Sequence, residues 1–177
     1  MKHIADKPYI LSPPKSPPLK TDSGFQVLLF QPEIPPNTGN ILRLCAAVAT
    51  CVHLIGPLGF HMDAASLRRA GMDYPDWSQI FRHADWENYQ AVQPVNHRLF
   101  AISTHGKVNY TELQFQPGDR FLFGSESAGL PISVRQTLQA PLLRIPMVGN
   151  ARSLNLANSV AIVLFEALRQ TGFTGLS

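Results

Sequence analysis

Apolar residues along the chain fall into short unbroken runs separated by stretches of helical periodicity. Phe25-Gln-Val-Leu-Leu-Phe30, Cys51-Val-His-Leu-Ile55, Arg98-Leu-Phe-Ala-Ile102, Arg120-Phe-Leu-Phe123 and Leu142-Leu-Arg-Ile145 are each four to six residues long. Short runs without polar alternation suit strands buried on both faces of a sheet. A further brief strand is predicted at Gln79-Ile-Phe81. Thr38 to Ala49 reads as a helix rich in small residues, with Asn37 as its N-cap. Asp63 caps a short helix through Arg69 that Gly71 closes, Asp85 opens a helix to Val92, and Ser133 to Leu138 is helical. The last helix runs from Asn155 to Gln170. Leu156, Val160, Val163, Leu164, Ala167 and Leu168 make one stripe along it, and Ala161, Ile162 and Phe165 make a second apolar side. Such a helix is covered by more than one layer: the sheet and another helix, or a second subunit.

Strands alternating with helices predict an α/β fold, a parallel sheet with helices on both faces. The first 24 residues stand apart. They hold five of the 15 prolines and four of the five lysines, with no apolar periodicity. Residues 1–24 are read as a disordered Pro/Lys-rich tail, and residues 25–177 as a single domain. The tail lacks the continuous apolar region of a secretory signal. No apolar run approaches the ~20 residues of a membrane span. Two cysteines, Cys45 and Cys51, exclude a disulfide framework, so the expected setting is cytoplasmic. Outside the tail the cations are ten arginines and one lysine, Lys107. Arginine favours forked contacts with phosphate or carboxylate, although it also covers surfaces and pairs with acids.

Ligands of open parallel sheets sit beyond the carboxyl ends of the strands. Here those ends carry Asn37-Thr-Gly-Asn-Ile-Leu-Arg43, Ser103-Thr-His-Gly106, Gly124-Ser-Glu-Ser-Ala-Gly-Leu130 and Pro146-Met-Val-Gly-Asn-Ala-Arg-Ser-Leu-Asn155. Gly124 and Gly129 have phosphate-loop spacing, but Leu130 follows instead of lysine, which argues against a nucleotide triphosphatase. The glycines make a tight turn into a helix, or a loop whose backbone approaches a flat ligand. Ser125 and Ser127 lie in a stretch like a hydrolase elbow, yet no histidine or aspartate follows them, which excludes the usual hydrolase order. The six histidines show no metal-ligand spacing and are read as surface or strand-end residues, so no metal is expected. Arg43 is the one charge within Ile41-Leu-Arg-Leu-Cys-Ala-Ala-Val48. It is either solvent-facing or a fixed cation near the end of the first strand.

Together these segments resemble the SPOUT class of RNA methyltransferases, most closely the minimal tRNA wobble-position 2′-O-methyltransferases of the TrmL/YibK type. Three blocks carry the resemblance: Pro35-Pro-Asn-Thr-Gly-Asn-Ile-Leu-Arg43, Phe123-Gly-Ser-Glu-Ser-Ala-Gly-Leu130 and Arg144-Ile-Pro-Met-Val-Gly-Asn-Ala-Arg-Ser-Leu-Asn-Leu156. The likeness runs from about Phe25 to Phe173 and leaves out the tail. It implies a deep C-terminal trefoil knot, a homodimer through the last helix, and S-adenosyl-L-methionine as co-substrate without a metal. The implied reaction is methyl transfer to the ribose 2′-hydroxyl of the wobble cytidine or modified uridine in a tRNA anticodon loop. The expected donor pocket is Ile102, Ser103, Gly124, Gly129, Ile145, Met147, Ser153 and Leu154. The expected catalytic residues are Arg43 and Asn155. A guanidinium holds its protons, so Arg43 is read as a phosphate anchor and hydroxyl orienter at the mouth of that pocket. Asn155 orients the same hydroxyl or caps the last helix. Glu126 orients its loop or touches RNA. Ser125 stands where relatives often have proline, and Phe165 where some carry tyrosine. The alternatives are a noncatalytic RNA-binding protein of the same fold and an enzyme acting on a small phosphorylated metabolite.

Overall fold

The computed structural model describes residues 24–60, 80–94 and 96–176. Seven strands form one sheet: β1 (Gln26–Phe30), β2 (Cys51–Ile55), β3 (Ile80–His83), β4 (Leu99–Ile102), β5 (Val108–Asn109), β6 (Arg120–Phe123) and β7 (Leu143–Arg144). Their order is β3-β2-β1-β6-β4-β7-β5, and every neighbouring pair is parallel. The helices among the described residues are α1 (Pro35–Ala47), α2 (Trp86–Ala91), α3 (Ile132–Gln136) and α4 (Leu156–Gln170). The expected tail up to residue 23 and the helix expected from Asp63 lie outside the described residues.

One element boundary and one added strand differ informatively from the sequence reading. Helix α1 begins at Pro35, with Ile34 as an N-cap that makes no side-chain bond, so Asn37 lies inside the first turn. Proline is tolerated there because the first helical amides have no intrahelical partner to lose. Asn37 is thereby released from capping for the contacts described below. The sheet also gains β5, too short to show a period. After it, Asn109 and Glu112 form a capping box around the 3₁₀ turn Tyr110–Glu112.

The interior divides into two clusters. Alternate residues Val27 and Leu29 of β1 join Ile41, Leu42 and Cys45 of α1 and Val160, Val163 and Leu164 of α4. The intervening Leu28 and Phe30 join Trp86 and Tyr89 of α2 and Val134 of α3. This alternation is the period-two geometry of a strand. The stripe expected on α4, from Leu156 to Leu168, is its buried face. On the second side of that helix Ala161 and Ile162 are half-buried, while Phe165 is 43% exposed and lies 6.4 Å from the ring of Phe173.

Beneath α2 the sheet buries a polar network that the sequence reading did not anticipate. His53 is not a surface or strand-end residue; it sits mid-strand in β2 and is buried. Its Nε2 lies 3.0 Å from Gln26 Oε1, and its Nδ1 lies 3.0 Å from His83 Nε2. With Gln26 Oε1 as acceptor, His53 carries its proton on Nε2 and accepts from His83 at Nδ1. Arg120, only 2% exposed, donates to the Tyr89 hydroxyl at 3.1 Å and to Gln93 Oε1. Burial, and then the neighbouring His83 and Arg120, push the His53 pKa down to about 3. Burial also pushes the Tyr89 phenol up to about 12, against the pull of Arg120.

Candidate active site

Strands β1, β6, β4 and β7 are neighbours, so the loops leaving their carboxyl ends gather at one edge of the sheet. The loop after β6 is a closed turn. Ser125 N–H donates to the Gly129 carbonyl at 3.2 Å, and Gly129 N–H donates back to the Ser125 carbonyl at 2.9 Å. A Cβ on Gly124 would stand 2.2 Å from the Gly129 carbonyl carbon, and Gly129 has a φ of 67°. Both glycines are therefore demanded by the closure of the turn itself. The loop after β4 presses equally close on β7. Ser103 N–H donates to the Leu143 carbonyl at 2.9 Å, and a Cβ on Gly106 would meet the Leu143 carbonyl carbon at 2.5 Å.

These loops enclose a cleft of about 600 Å³. Ile102 and Ser103 line it from the end of β4, and Gly124 and Gly129 from the turn after β6. Ile145, Met147, Ser153, Leu154 and Asn155 line it from the segment between β7 and α4. All eight expected pocket residues, and Asn155, thus face one cavity. The sequence reading missed Asn37, His105 and Arg135, which also line it. His105 was legible in principle, since it belongs to a strand-end segment; Arg135 on α3 carried no signal. Arg43 is not among the lining residues; it is exposed on α1. It lies six residues beyond Asn37, roughly 9 Å further along the helix axis. Among the described residues no group of His, Cys, Asp and Glu is placed to hold a metal ion.

Hydrogen bonds tie the loop after β1 to the turn after β6. Glu126 Oε2 accepts from Glu33 N–H at 2.8 Å, while Oε1 accepts from Ile34 N–H at 3.3 Å and from Asn37 Nδ2 at 3.0 Å. In return the Glu33 carboxylate accepts from Ser127 N–H at 2.9 Å and from Ser127 Oγ at 2.6 Å. A carboxylate beside the opening amides of α1 also meets the positive end of the helix dipole. Asn37 Oδ1 accepts from Asn155 Nδ2 at 2.9 Å. Asn155 Oδ1 accepts from the amides of Ala157 at 2.9 Å and Asn158 at 3.2 Å, capping α4. Asn155 thus caps α4 and also lines the cleft.

The fold is an α/β parallel sheet whose strand-end loops, one of them a closed glycine turn, surround a cleft of mixed polar and apolar lining, and comparison with known proteins identifies its family. The chain belongs to the SpoU rRNA Methylase family, which it matches over residues 24–165. It is 48% identical over 153 residues to the tRNA (cytidine(34)-2′-O)-methyltransferase of Polaromonas sp. (strain JS666 / ATCC BAA-500), covering 85% of this chain and 93% of the relative. A solved structure described as "Structural insights into the 2-OH methylation of C/U34 on tRNA" matches with a TM-score of 0.77 and 41% identity, over 85% of this chain and 92% of the other. An AdoMet-bound rRNA methyltransferase from Sinorhizobium meliloti matches with a TM-score of 0.71 and 31% identity, over 82% of this chain and 56% of the other.

Proposed function

We propose that the chain is a tRNA 2′-O-ribose methyltransferase that transfers the methyl group of S-adenosyl-L-methionine to the wobble nucleotide, cytidine or modified uridine. The observation that carries this reading is the single cleft into which the loops of all three sequence blocks bring their residues. The high identity to relatives named for cytidine-34 supports the position of the target.

The residues fit the donor. The cleft volume suits a drug-sized ligand. Ile102, Ile145, Met147 and Leu154 offer apolar surface to a flat ring, and Gly124 and Gly129 bring backbone to the wall. Bound there, the donor supplies a methyl group on a positively charged sulfur; the ribose oxygen takes it, the C–S electron pair stays on sulfur, and the hydroxyl proton is released. The protein's task is alignment of oxygen, carbon and sulfur. No step requires a metal. Asn155 orients the hydroxyl, and Arg43 anchors a phosphate of the anticodon loop, where nucleotides splay and a 2′-hydroxyl is available.

The same reading covers the architecture. Residues 25–177 form a single SPOUT domain with helices on both sheet faces, as the two separate clusters support, and with a deep C-terminal trefoil knot. The close contacts of Ser103 and Gly106 on β7, which bring the loop after β4 against the C-terminal part of the chain, support that reading. The enzyme is a homodimer through the second side of α4, supported by the exposed Phe165 and Phe173. Among the described residues no helix is long and apolar enough to cross a membrane; a tRNA substrate supports a cytoplasmic setting.

The test is methyl transfer from labelled donor to unmodified tRNA, with the position mapped. Transfer that persists on a tRNA with a 2′-deoxy wobble ribose overturns the assigned site. RNA binding without transfer would instead mark a noncatalytic protein, and neither would point to a small-metabolite enzyme.

A further inference from the structure

We infer that Glu126 and Asn37 are positioning residues that hold Asn155 as a hydrogen-bond donor toward the cleft, so that Asn155 meets the oxygen of the acceptor hydroxyl and does not take its proton. The inference rests on the methyltransferase reading above and deepens it.

An asparagine amide has two faces, donor and acceptor, and can turn over. Here the turn is decided at one end. The Glu126 carboxylate accepts only, and its oxygens face Glu33 N–H, Ile34 N–H and Asn37. Asn37 must therefore present Nδ2 to Glu126, which leaves Oδ1 toward Asn155. Asn155 must then present Nδ2 to Asn37. The other end agrees, because the amides of Ala157 and Asn158 donate only and require Asn155 Oδ1. Every bond in the chain thus has one permitted sense. Asn37 is 8% exposed, so a reversed amide there would leave polar groups facing like groups without water to relieve them.

The consequence is chemical. Asn155 Oδ1 is occupied by two amides, so it has little capacity left to accept the hydroxyl proton. Nδ2 spends one hydrogen on Asn37, and its second hydrogen is available to a ligand in the cleft that Asn155 lines. A donor placed on the ribose oxygen fixes where the nucleophilic lone pair points. The proton passes to solvent water and not to a group in this chain of bonds. Glu126, with its oxygens engaged by three donors, is not that acceptor.

The test uses purified full-length enzyme with tRNA, reading donor affinity by calorimetry alongside kcat and KM. Asn155→Asp keeps an excellent helix cap but replaces the donor face with a second acceptor. We expect the α4 cap to hold but thermal stability to fall somewhat, because the new carboxylate faces Asn37 Oδ1, with donor affinity within about threefold and kcat reduced at least a hundredfold. Asn37→Asp sets two carboxylates against each other and should lower kcat at least tenfold. Adding Glu126→Gln to Asn37→Asp supplies an amide that donates to the introduced carboxylate, whose other oxygen still accepts from Asn155. This double variant should regain most of the lost kcat. Full activity in Asn155→Asp, or a double variant no better than Asn37→Asp while both remain folded and bind donor, overturns the inference. Absence of transfer by the unmodified enzyme would overturn the methyltransferase reading instead.

Discussion

Acidification should weaken the fold through His53. The imidazole is buried beneath α2, bonded to Gln26 and His83, with the Arg120 guanidinium nearby. Its pKa falls from the ordinary 6.5 to about 3 on folding. The unfolded chain therefore binds the proton first, and stability is full above pH 6.5 and declines as pH drops toward 3. Between pH 7.5 and pH 5.0 this single group removes about 2 kcal/mol of stability. Burial and Arg120 lower His83 as well, which adds a loss of the same sign. Asp119, raised by its own burial, opposes that trend. Urea unfolding at the two pH values measures the total. The diagnostic comparison is His53→Asn, which is less stable at neutral pH but has no imidazole to charge. The drop on acidification should be smaller in the variant by about 2 kcal/mol. Equal drops in both proteins would show that His53 carries no such penalty and that the network is open to water.

Three further outcomes are expected. Gly124→Ala must move the turn after β6, since its Cβ would lie 2.2 Å from Gly129; calorimetry should show donor affinity reduced at least about tenfold, with roughly 1–3 kcal/mol lost in denaturant melts. Arg43→Ala should reduce transfer by about a hundredfold or more while leaving donor affinity unchanged, because Arg43 does not line the cleft, and Arg43→Lys should recover little if a forked contact is needed. The unmodified protein should scatter light as a dimer and Ile162→Glu as a monomer; a dimer indifferent to this change would move the interface off the second side of α4.

Elements with a clear period were legible in the sequence, and so was the set of strand ends. The buried stripe of α4 agrees with its spacing residue by residue, because helix burial is a local pattern. The segments that wall the cleft followed from the rule that loops gather at the carboxyl edge of a parallel sheet, while the choice of donor-pocket residues within them came from the family resemblance. What escaped depended on partners distant in the chain. Asn37 has the local signature of an N-cap, and only the Glu126 and Asn155 side chains reveal why it lies inside the helix. Arg120 and His53 look like ordinary strand residues until the sheet sets them beside Gln26 and brings Tyr89 over them. The two-residue β5 has no period to read, and its place is given by pairing with β7. Arg135 sits on a five-residue helix and faces the cleft through packing alone.

The strand order has a consequence for how the chain is made. β1 lies between β2 and β6, and all five of its residues are buried. A ribosome releases β2 soon after β1, but Ser127, which ties to Glu33, follows it by 94 residues. At ordinary synthesis rates β1 therefore waits about 5–20 s with one apolar edge unpaired. Asn155 arrives 118 residues after Asn37, so the wall of the cleft closes only when nearly the whole chain has emerged. Until then the nascent protein carries a sticky strand edge and no donor pocket, a state that invites chaperone capture and strand-to-strand association. Substitutions that slow the docking of β6, such as those in the Glu33–Ser127 tie, should lower the soluble yield more than they lower the stability of molecules that succeed in folding.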